Sequence, residues 1–374
     1  MSARTVVLAG GGTAGHVNPL LALAEQIRSR HPGTELRVLG TAEGLEADLV
    51  PAAGLELTVI ERVPLPRRPS ADWFRFPGRW RRALAVATEC LRGADVLVGF
   101  GGYVAAPAYI AARRLGVPIV VHEQNARPGL ANRLGARYAA RTGVSFPRTP
   151  LRGGELVGLP LRAAITDLLD RRNTDRRRAR QEGAAALGLD ADLPTIVVTG
   201  GSLGAQRLNQ VVPELAGELT GSGVQVLHLT GRGKDVPVRE HLATVAPGDG
   251  TARYRVQEYL MQMEQALACA DLVIARSGAG TVSEISALGI PAVYVPLPIG
   301  NGEQARNAAP VVQAGGALIV DDREFDSDWL RRQVLPLITD EAALAQMRRA
   351  AAGAGITDGA ERLAALTFDA IGSQ

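Results

Sequence analysis

Short runs rich in Val, Ile and Leu recur along the chain, and each is followed by a longer Ala-rich stretch with helical spacing. Such alternation marks parallel βα units. It predicts strands at residues 5–9, 36–39, 57–60, 96–98 and 119–121, then at 196–198, 225–229, 272–275, 292–295 and 317–320. Two openings echo each other at an offset of 190 residues, TVVLAGGGTAGH (5–16) and TIVVTGGSLGAQ (195–206). Each reads as an apolar strand, a glycine-rich turn and a helix start. The repeat predicts an α/β fold of two Rossmann-like domains facing a cleft. The polar segment 163–192 predicts the boundary, giving domains 1–162 and 163–374, and its basic run 176–178 reads as the solvated face of a helix. A last helical stretch, roughly 341–371, carries no signal for where it packs.

At 374 residues the chain is long enough for two cores. Aromatic content is only 4% against 46% hydrophobic, so small aliphatic residues must fill those cores, which suits parallel sheets. The net charge of +3 conceals an asymmetry: residues 1–160 carry 20 basic and 12 acidic side chains, the remainder 21 and 26. A basic amino-terminal half points to an anionic partner, whether a membrane surface, a phosphorylated acceptor or nucleic acid. Cys90 and Cys269 show neither metal-like spacing nor a disulfide framework, so a reducing compartment is expected. The chain opens directly on a strand, without a signal-peptide pattern. Its longest uncharged stretch, 96–112, is interrupted by Gly99, Gly101, Gly102 and Pro107 and reads as strand, turn and helix rather than a membrane span. A soluble protein is expected.

The first glycine loop, Gly10 to Gly15, satisfies G-x-G-x-x-G, a weak signal alone. A dinucleotide site also needs an acid ending the second strand, and here the nearest is Glu43, beyond Gly40-Thr41. His16, Asn18 and Pro19 follow the loop where a cofactor fingerprint would continue its helix. The favoured reading is a substrate pyrophosphate approaching backbone N–H groups at a helix start; a turn that needs glycine for packing is the alternative. Gly200 to Ala205 repeats this chemistry. A third such turn, DLVIARSGAGTVSE (271–284), leaves its backbone open at Ser277, Gly278 and Gly280 and presents Thr281, Ser283 and Glu284. Glu284 is either a stabiliser of the helix dipole or a bidentate acceptor for ribose hydroxyls.

His122, Glu123, Gln124 and Asn125 follow a buried strand directly, where open α/β sheets bind ligands. Local use of all four is less expected than ligand contact. Glu303, Gln304 and Asn307 cluster at another strand-to-helix turn and would read sugar hydroxyls. Arg162, at the domain boundary, is a surface arginine or a diphosphate clamp. Residues 62–82 hold Arg62, Arg67, Arg68, Arg75, Arg79, Arg81 and Arg82 against the single acid Asp72, interleaved with Trp73, Phe74, Phe76 and Trp80. Pro77 argues against one straight helix there. The stretch reads as a peripheral membrane patch, with nucleic acid as the rival. Of the two D-x-D pairs, Asp190/Asp192 precedes a strand and Asp326/Asp328 looks like a helix N-cap, so no metal site is expected.

Taken together, GGGTAGHVNP (10–19), GTAEGLEADLVPAAG (40–54), VGFGGYVAAP (98–107), HEQNARPGLANRLGARYA (122–139), GGSLGAQRLNQ (200–210), RSGAGTVSE (276–284) and GNGEQARNA (300–308) resemble the MurG family. These are UDP-N-acetylglucosamine:lipid I N-acetylglucosaminyltransferases of peptidoglycan synthesis. The motifs stand in the family's order along essentially the whole chain, departing from its commoner forms at Leu159, Leu203 and Glu303. The resemblance implies a GT-B glycosyltransferase fold and a peripheral enzyme on the cytoplasmic face of the cell membrane. Its partners would be UDP-N-acetylglucosamine, lipid I and the anionic inner membrane surface, with no cofactor and no nucleic acid. By motif position, Tyr259, Leu260 and Met263 would frame the uracil, and Glu284 would take the ribose. Ser202 and Arg162 would hold the diphosphate, and Ala279, Gly280, Thr281, Gln304 and Asn307 the amino sugar. Thr13, Ala14, Gly15, His16, Tyr103, Glu123 and Asn125 would line the acceptor side.

The reaction expected is a single inverting displacement at the anomeric carbon, with His16 or Glu123 as base. Rival readings are a UDP-N-acetylglucosamine 2-epimerase of similar fold, a glycosyltransferase acting on another acceptor, and a non-catalytic sensor. The basic aromatic stretch argues against the epimerase.

Overall fold

The computed structural model describes residues 4–64, 72–201, 205–245, 253–298 and 301–372. They form two compact units, one of residues 1–162 with 356–374 and the other of 163–355.

The first unit carries a seven-stranded parallel sheet: β1 (Thr5–Ala9), β2 (Glu35–Gly40), β3 (Glu56–Val59), β4 (Val96–Gly99), β5 (Ile119–Glu123), β6 (Arg141–Val144) and β7 (Gly154–Leu156). Their order is β3-β2-β1-β4-β5-β6-β7. The second unit carries β8 (Thr195–Thr199), β9 (Gln225–Leu229), β10 (Tyr254–Gln257), β11 (Leu272–Ala275), β12 (Ala292–Tyr294) and β13 (Ala317–Ile319), ordered β10-β9-β8-β11-β12-β13. Both sheets are doubly wound. The chain leaves the central strand one way and returns on its other side, which opens a crevice at the carboxyl ends of β1/β4 and of β8/β11. Val, Ile, Leu and Ala fill both faces; Val6, Val7, Leu8, Ile196, Val197 and Val198 are fully buried.

The ten predicted strands all form. Three others escaped the apolar pattern: β6 and β7 lie toward one edge of the first sheet, and β10 closes an edge of the second. β10 exposes Arg255, and β7 is exposed throughout. Strands covered on one side need no continuous apolar run.

The helices meet one expectation, residues 176–178 lying exposed on a helix, and depart from expectation in two other places. Segment 163–192 is chiefly a helix, Ala163–Leu187, docked on the helix Met263–Cys269. It bends at Asp175 (φ −154°, ψ 91°), whose carboxylate accepts from Arg178 N–H at 2.9 Å and so caps the second half. The stretch 341–371 is two helices, Glu341–Ala354 in the second unit and Gly359–Gly372 in the first, broken after Gly355. The latter lies along the helix Ala14–Arg30, with Leu363 and Leu366 in the core of β1 and β4. Finally, one helix, Asp72–Cys90, runs through Pro77. Proline there forgoes a single backbone hydrogen bond, which the packing of Ala83, Leu84 and Ala87 outweighs.

Candidate active site

In the first unit the loops after β1 and β4 close on each other, and they do so because they lack side chains. Gly102 adopts φ +78°, and a Cβ there would stand 2.7 Å from the carbonyl oxygen of Gly11. Gly101, at φ +99°, would place a Cβ 3.2 Å from His16 Nε2. Only glycine combines that backbone conformation with that approach.

Under the loop lies a side chain the sequence reading passed over. Glu46 is fully buried and accepts from Gly12 N–H (2.8 Å), Thr41 N–H (2.9 Å) and the Thr41 hydroxyl (2.7 Å). Burial alone would push its carboxyl up, but the bonds from Thr41 and Gly12 hold it below the usual carboxylate range. Glu43, the nearest acid in sequence, is exposed. The Gly12 amide, expected to meet pyrophosphate, is therefore committed to a carboxylate. The exposed first-turn amides of Ala14 and Gly15 remain, at a helix with no side-chain cap and no acid in its first turn.

His16 stands in that first turn, half-buried. Its Nδ1 lies 3.1 Å from the Gly11 carbonyl and 3.2 Å from Thr13 Oγ1. A carbonyl only accepts, so Nδ1 carries the proton and Nε2 keeps its lone pair, facing the space that Gly101 leaves open. Burial lowers the His16 pKa below 6.5, opposed by the Gly11 bond and the Glu46 charge. Tyr103 is half-exposed, with the Arg62 guanidinium 4.8 Å above its ring.

Three of the four polar residues after β5 are used locally, against expectation. Glu123 accepts from Asn125 N–H (2.9 Å), Gly129 N–H (3.0 Å) and Asn132 Nδ2 (2.9 Å), and burial pushes its carboxyl upward. His122 Nε2 donates to the Gly158 carbonyl at 2.9 Å, and burial brings its pKa down to about 4. The Gln124 amide turns back onto the His122 carbonyl at 2.9 Å. Asn125 is half-buried at the edge of this cluster. A sharp turn at the end of a central strand leaves many backbone groups to satisfy, and these side chains satisfy them.

In the second unit, Gly201 (φ +76°), the counterpart of Gly11, donates to Thr199 Oγ1 at 3.2 Å. Ser202, expected at the diphosphate, lies outside the described residues. Across the crevice the helix Ala279–Ala287 starts after Gly278 with no side-chain cap and no acid in its first turn. Ala279, Gly280 and Thr281 form that turn. Glu284 is its sixth residue, half-buried and past the reach of the helix dipole, which weakens the dipole reading. Gln304 accepts from Leu297 N–H at 2.9 Å, and buried Asn307 donates to the Ser277 carbonyl at 3.2 Å, so both brace the turns around the crevice. Tyr259 lies half-exposed after β10 with the Arg232 guanidinium 4.7 Å over its ring. Leu260 and Met263 are half-buried beside it, and Arg162 is half-buried at the end of the first unit.

Of the D-x-D pairs, Asp326 caps the helix Ser327–Thr339 through Trp329 N–H at 2.7 Å, as expected. Asp190 accepts from Asp192 N–H at 2.9 Å.

Two doubly wound parallel sheets, each with a bare helix start at its switch point, are the architecture of the GT-B class. Comparison with known proteins agrees. Residues 6–144 match the glycosyltransferase family 28 N-terminal domain and residues 195–363 its C-terminal domain. The chain is 53% identical to the UDP-N-acetylglucosamine--N-acetylmuramyl-(pentapeptide) pyrophosphoryl-undecaprenol N-acetylglucosamine transferase of Clavibacter sepedonicus, over 98% of this chain and 97% of that one. It is 49% identical to the protein of that name from Streptomyces coelicolor, with 99% of each covered. A crystal structure of Acinetobacter baumannii MurG superposes with TM-score 0.78 at 28% identity, over 98% of this chain and 99% of that one. A Neisseria meningitidis UDP-GlcNAc 2-epimerase shares the fold alone (TM-score 0.71, 13% identity, 98% and 100% covered). The chain belongs to the MurG family of family 28 glycosyltransferases.

Glu46→Gln should lower folding stability by about 1–3 kcal/mol at neutral pH, since its amide group opposes one of the loop donors. A carboxyl held below its unfolded pKa contributes stability above that unfolded value and loses it as pH falls through the folded one. The gap between wild type and Glu46→Gln in urea unfolding should therefore be widest at neutral pH and narrow on acidification below about 4.5.

Proposed function

We propose that this protein transfers N-acetylglucosamine from UDP-N-acetylglucosamine to the C4 hydroxyl of the muramyl sugar of lipid I, with inversion, forming lipid II. The observation that carries this reading is identity of 53% over 98% of the chain with an enzyme named for that transfer. The helix start after Gly278, with no acid in its first turn, suits the donor diphosphate, with Tyr259, Leu260 and Met263 at the uracil, Glu284 at the ribose and Arg162 at the diphosphate. Ala279 to Thr281 and Gln304 would meet the sugar, while Asn307 acts through the Ser277 turn.

In the first unit the acceptor hydroxyl would meet His16 Nε2. As the new bond forms, Nε2 takes the hydroxyl proton, and the imidazolium charge is stabilised by Glu46. UDP departs with growing negative charge, which helix-start amides and Arg162 would stabilise. Glu123, with three donors already on its carboxylate, acts as a positioning residue for the loop 125–129.

Docking on an anionic membrane at the cytoplasmic face is inferred from the helix Asp72–Cys90. Phe74 on it is 90% exposed, and Phe76 stacks on Trp80 at 5.9 Å. Arg79 and Arg82 pair with Glu61, one residue outside the stretch read from sequence, so they contribute less charge than their number implies. Arg75 and Arg81 are exposed, and Arg67 and Arg68 lie outside the described residues. Among the described residues no helix is long and apolar enough to cross a membrane.

Labelled N-acetylglucosamine should pass to a lipid I analogue with UDP released. Release of UDP-N-acetylmannosamine from the donor alone would instead establish the epimerase. His16→Ala should lower kcat/KM by about 100-fold or more. Because His16 must be neutral to accept a proton, kcat/KM in the wild type should fall only as pH drops through a value below 6.5. Glu46→Gln should move that limb further down, and Glu123→Gln should retain it; a limb lost with Glu123→Gln and kept with His16→Ala would exchange their roles. Phe74→Asp should weaken sedimentation with phosphatidylglycerol vesicles about tenfold while turnover on a soluble acceptor stays unchanged; equal sedimentation would remove this helix from the membrane contact.

A further inference from the structure

At the amino ends of β8 and β11, opposite the second unit's glycine loops, four guanidinium groups gather about one carboxylate. Asp271 accepts Arg180 on Oδ2 at 2.9 Å and Arg348 on Oδ1 at 2.8 Å, and Oδ2 also takes Thr195 N–H at 3.0 Å. Arg180 is otherwise spent on the carbonyls of Ala191, Leu193 and Cys269. Arg172 has one hydrogen bond, to the Leu267 carbonyl at 3.1 Å. Arg348 Nε is buried without a hydrogen-bond partner, and Arg176 has no hydrogen-bond or ion-pair partner among the described residues. Asp175, next to Arg176 in sequence, caps Arg178 N–H.

Asp271 thus serves two arginines fully, and the positive charge of Arg172 and Arg176 is left over. Burial, then repulsion from Arg176 and Arg348, brings the Arg172 pKa down to about 10. Arg176 reaches the surface on the exposed side of this group, and partial desolvation and Arg348 act on it in the same direction. Arginine does not escape such crowding by losing its proton at physiological pH; an anion relieves it. Arg176 also opens the helical half that follows Asp175, where backbone N–H groups favour negative charge.

We propose that Arg172, Arg176 and Arg348 form a binding site for a phosphate-type oxyanion, distinct from both substrate loops. Guanidinium forks match phosphate oxygens in pairs, and a free phosphate and a phospholipid headgroup present the same group.

The test is calorimetric titration of the full-length protein with inorganic phosphate, at constant ionic strength and with the donor site saturated by UDP. It is paired with sedimentation on phosphatidylglycerol and phosphatidylcholine vesicles. Arg176→Gln should weaken the oxyanion about tenfold, and Arg172→Gln with Arg176→Gln further, while UDP affinity is unchanged and Arg176→Lys recovers part of the loss. Loss of phosphate binding with vesicle binding intact identifies a soluble ligand. Loss of phosphatidylglycerol binding, with phosphate heats unchanged, identifies a headgroup. If Arg176→Gln and the double variant match wild type in both measurements, the cluster is structural and the proposal is wrong.

Discussion

Glu46 buries a carboxylate beneath the glycine loop of the first unit, and the geometry around His16 depends on it. The loop can bend over a charged group only because Gly11 and Gly44 have no side chains; a Cβ on either would lie 2.2 Å or less from a Glu46 oxygen. With Gly12 tied down, the Gly11 carbonyl is aimed at His16 Nδ1, and that bond decides which ring nitrogen keeps its lone pair. The same negative charge favours a protonated His16. Loop shape, tautomer and basicity therefore share one origin.

The two units repeat one topology, and each has a helix start at its switch point with no acid in its first turn. The first unit places a carboxylate under its loop and a histidine beside it, a setting that suits a hydroxyl awaiting deprotonation. The second leaves the helix start after Gly278 without a side-chain cap or a first-turn acid, a setting that suits an anion. A duplicated fold thus carries His16 at one helix start and Gln206 at the matching one without a change in strand order.

Much of the fold was legible because apolar runs and glycine turns are local signals. β8 and β11 are central strands covered on both faces, so their sequences are continuously apolar. β7 and β10 are not, and nothing in RVQ or GEL announces a strand. The helix Asp72–Cys90 likewise defeats a local rule at Pro77, since packing of its far half outweighs one lost hydrogen bond. The candidate site was legible only as motif position, which singled out His16, Glu284 and Tyr259, while HEQN looked like ligand-binding chemistry and is largely loop architecture.

Two parallel α/β units and membership of a glycosyltransferase family could be read along the chain, because strand periodicity, glycine and motif order are all written in near neighbours. Folding was needed to bring Glu46 rather than Glu43 to the loop, to hold Glu123 between Asn125, Gly129 and Asn132, and to gather Arg348 with Arg172 and Arg176 around Asp271. Those outcomes depend on contacts between residues distant along the chain or turned inward by packing. Burial and hydrogen-bond partners, not residue type, assign a carboxylate or a guanidinium its role.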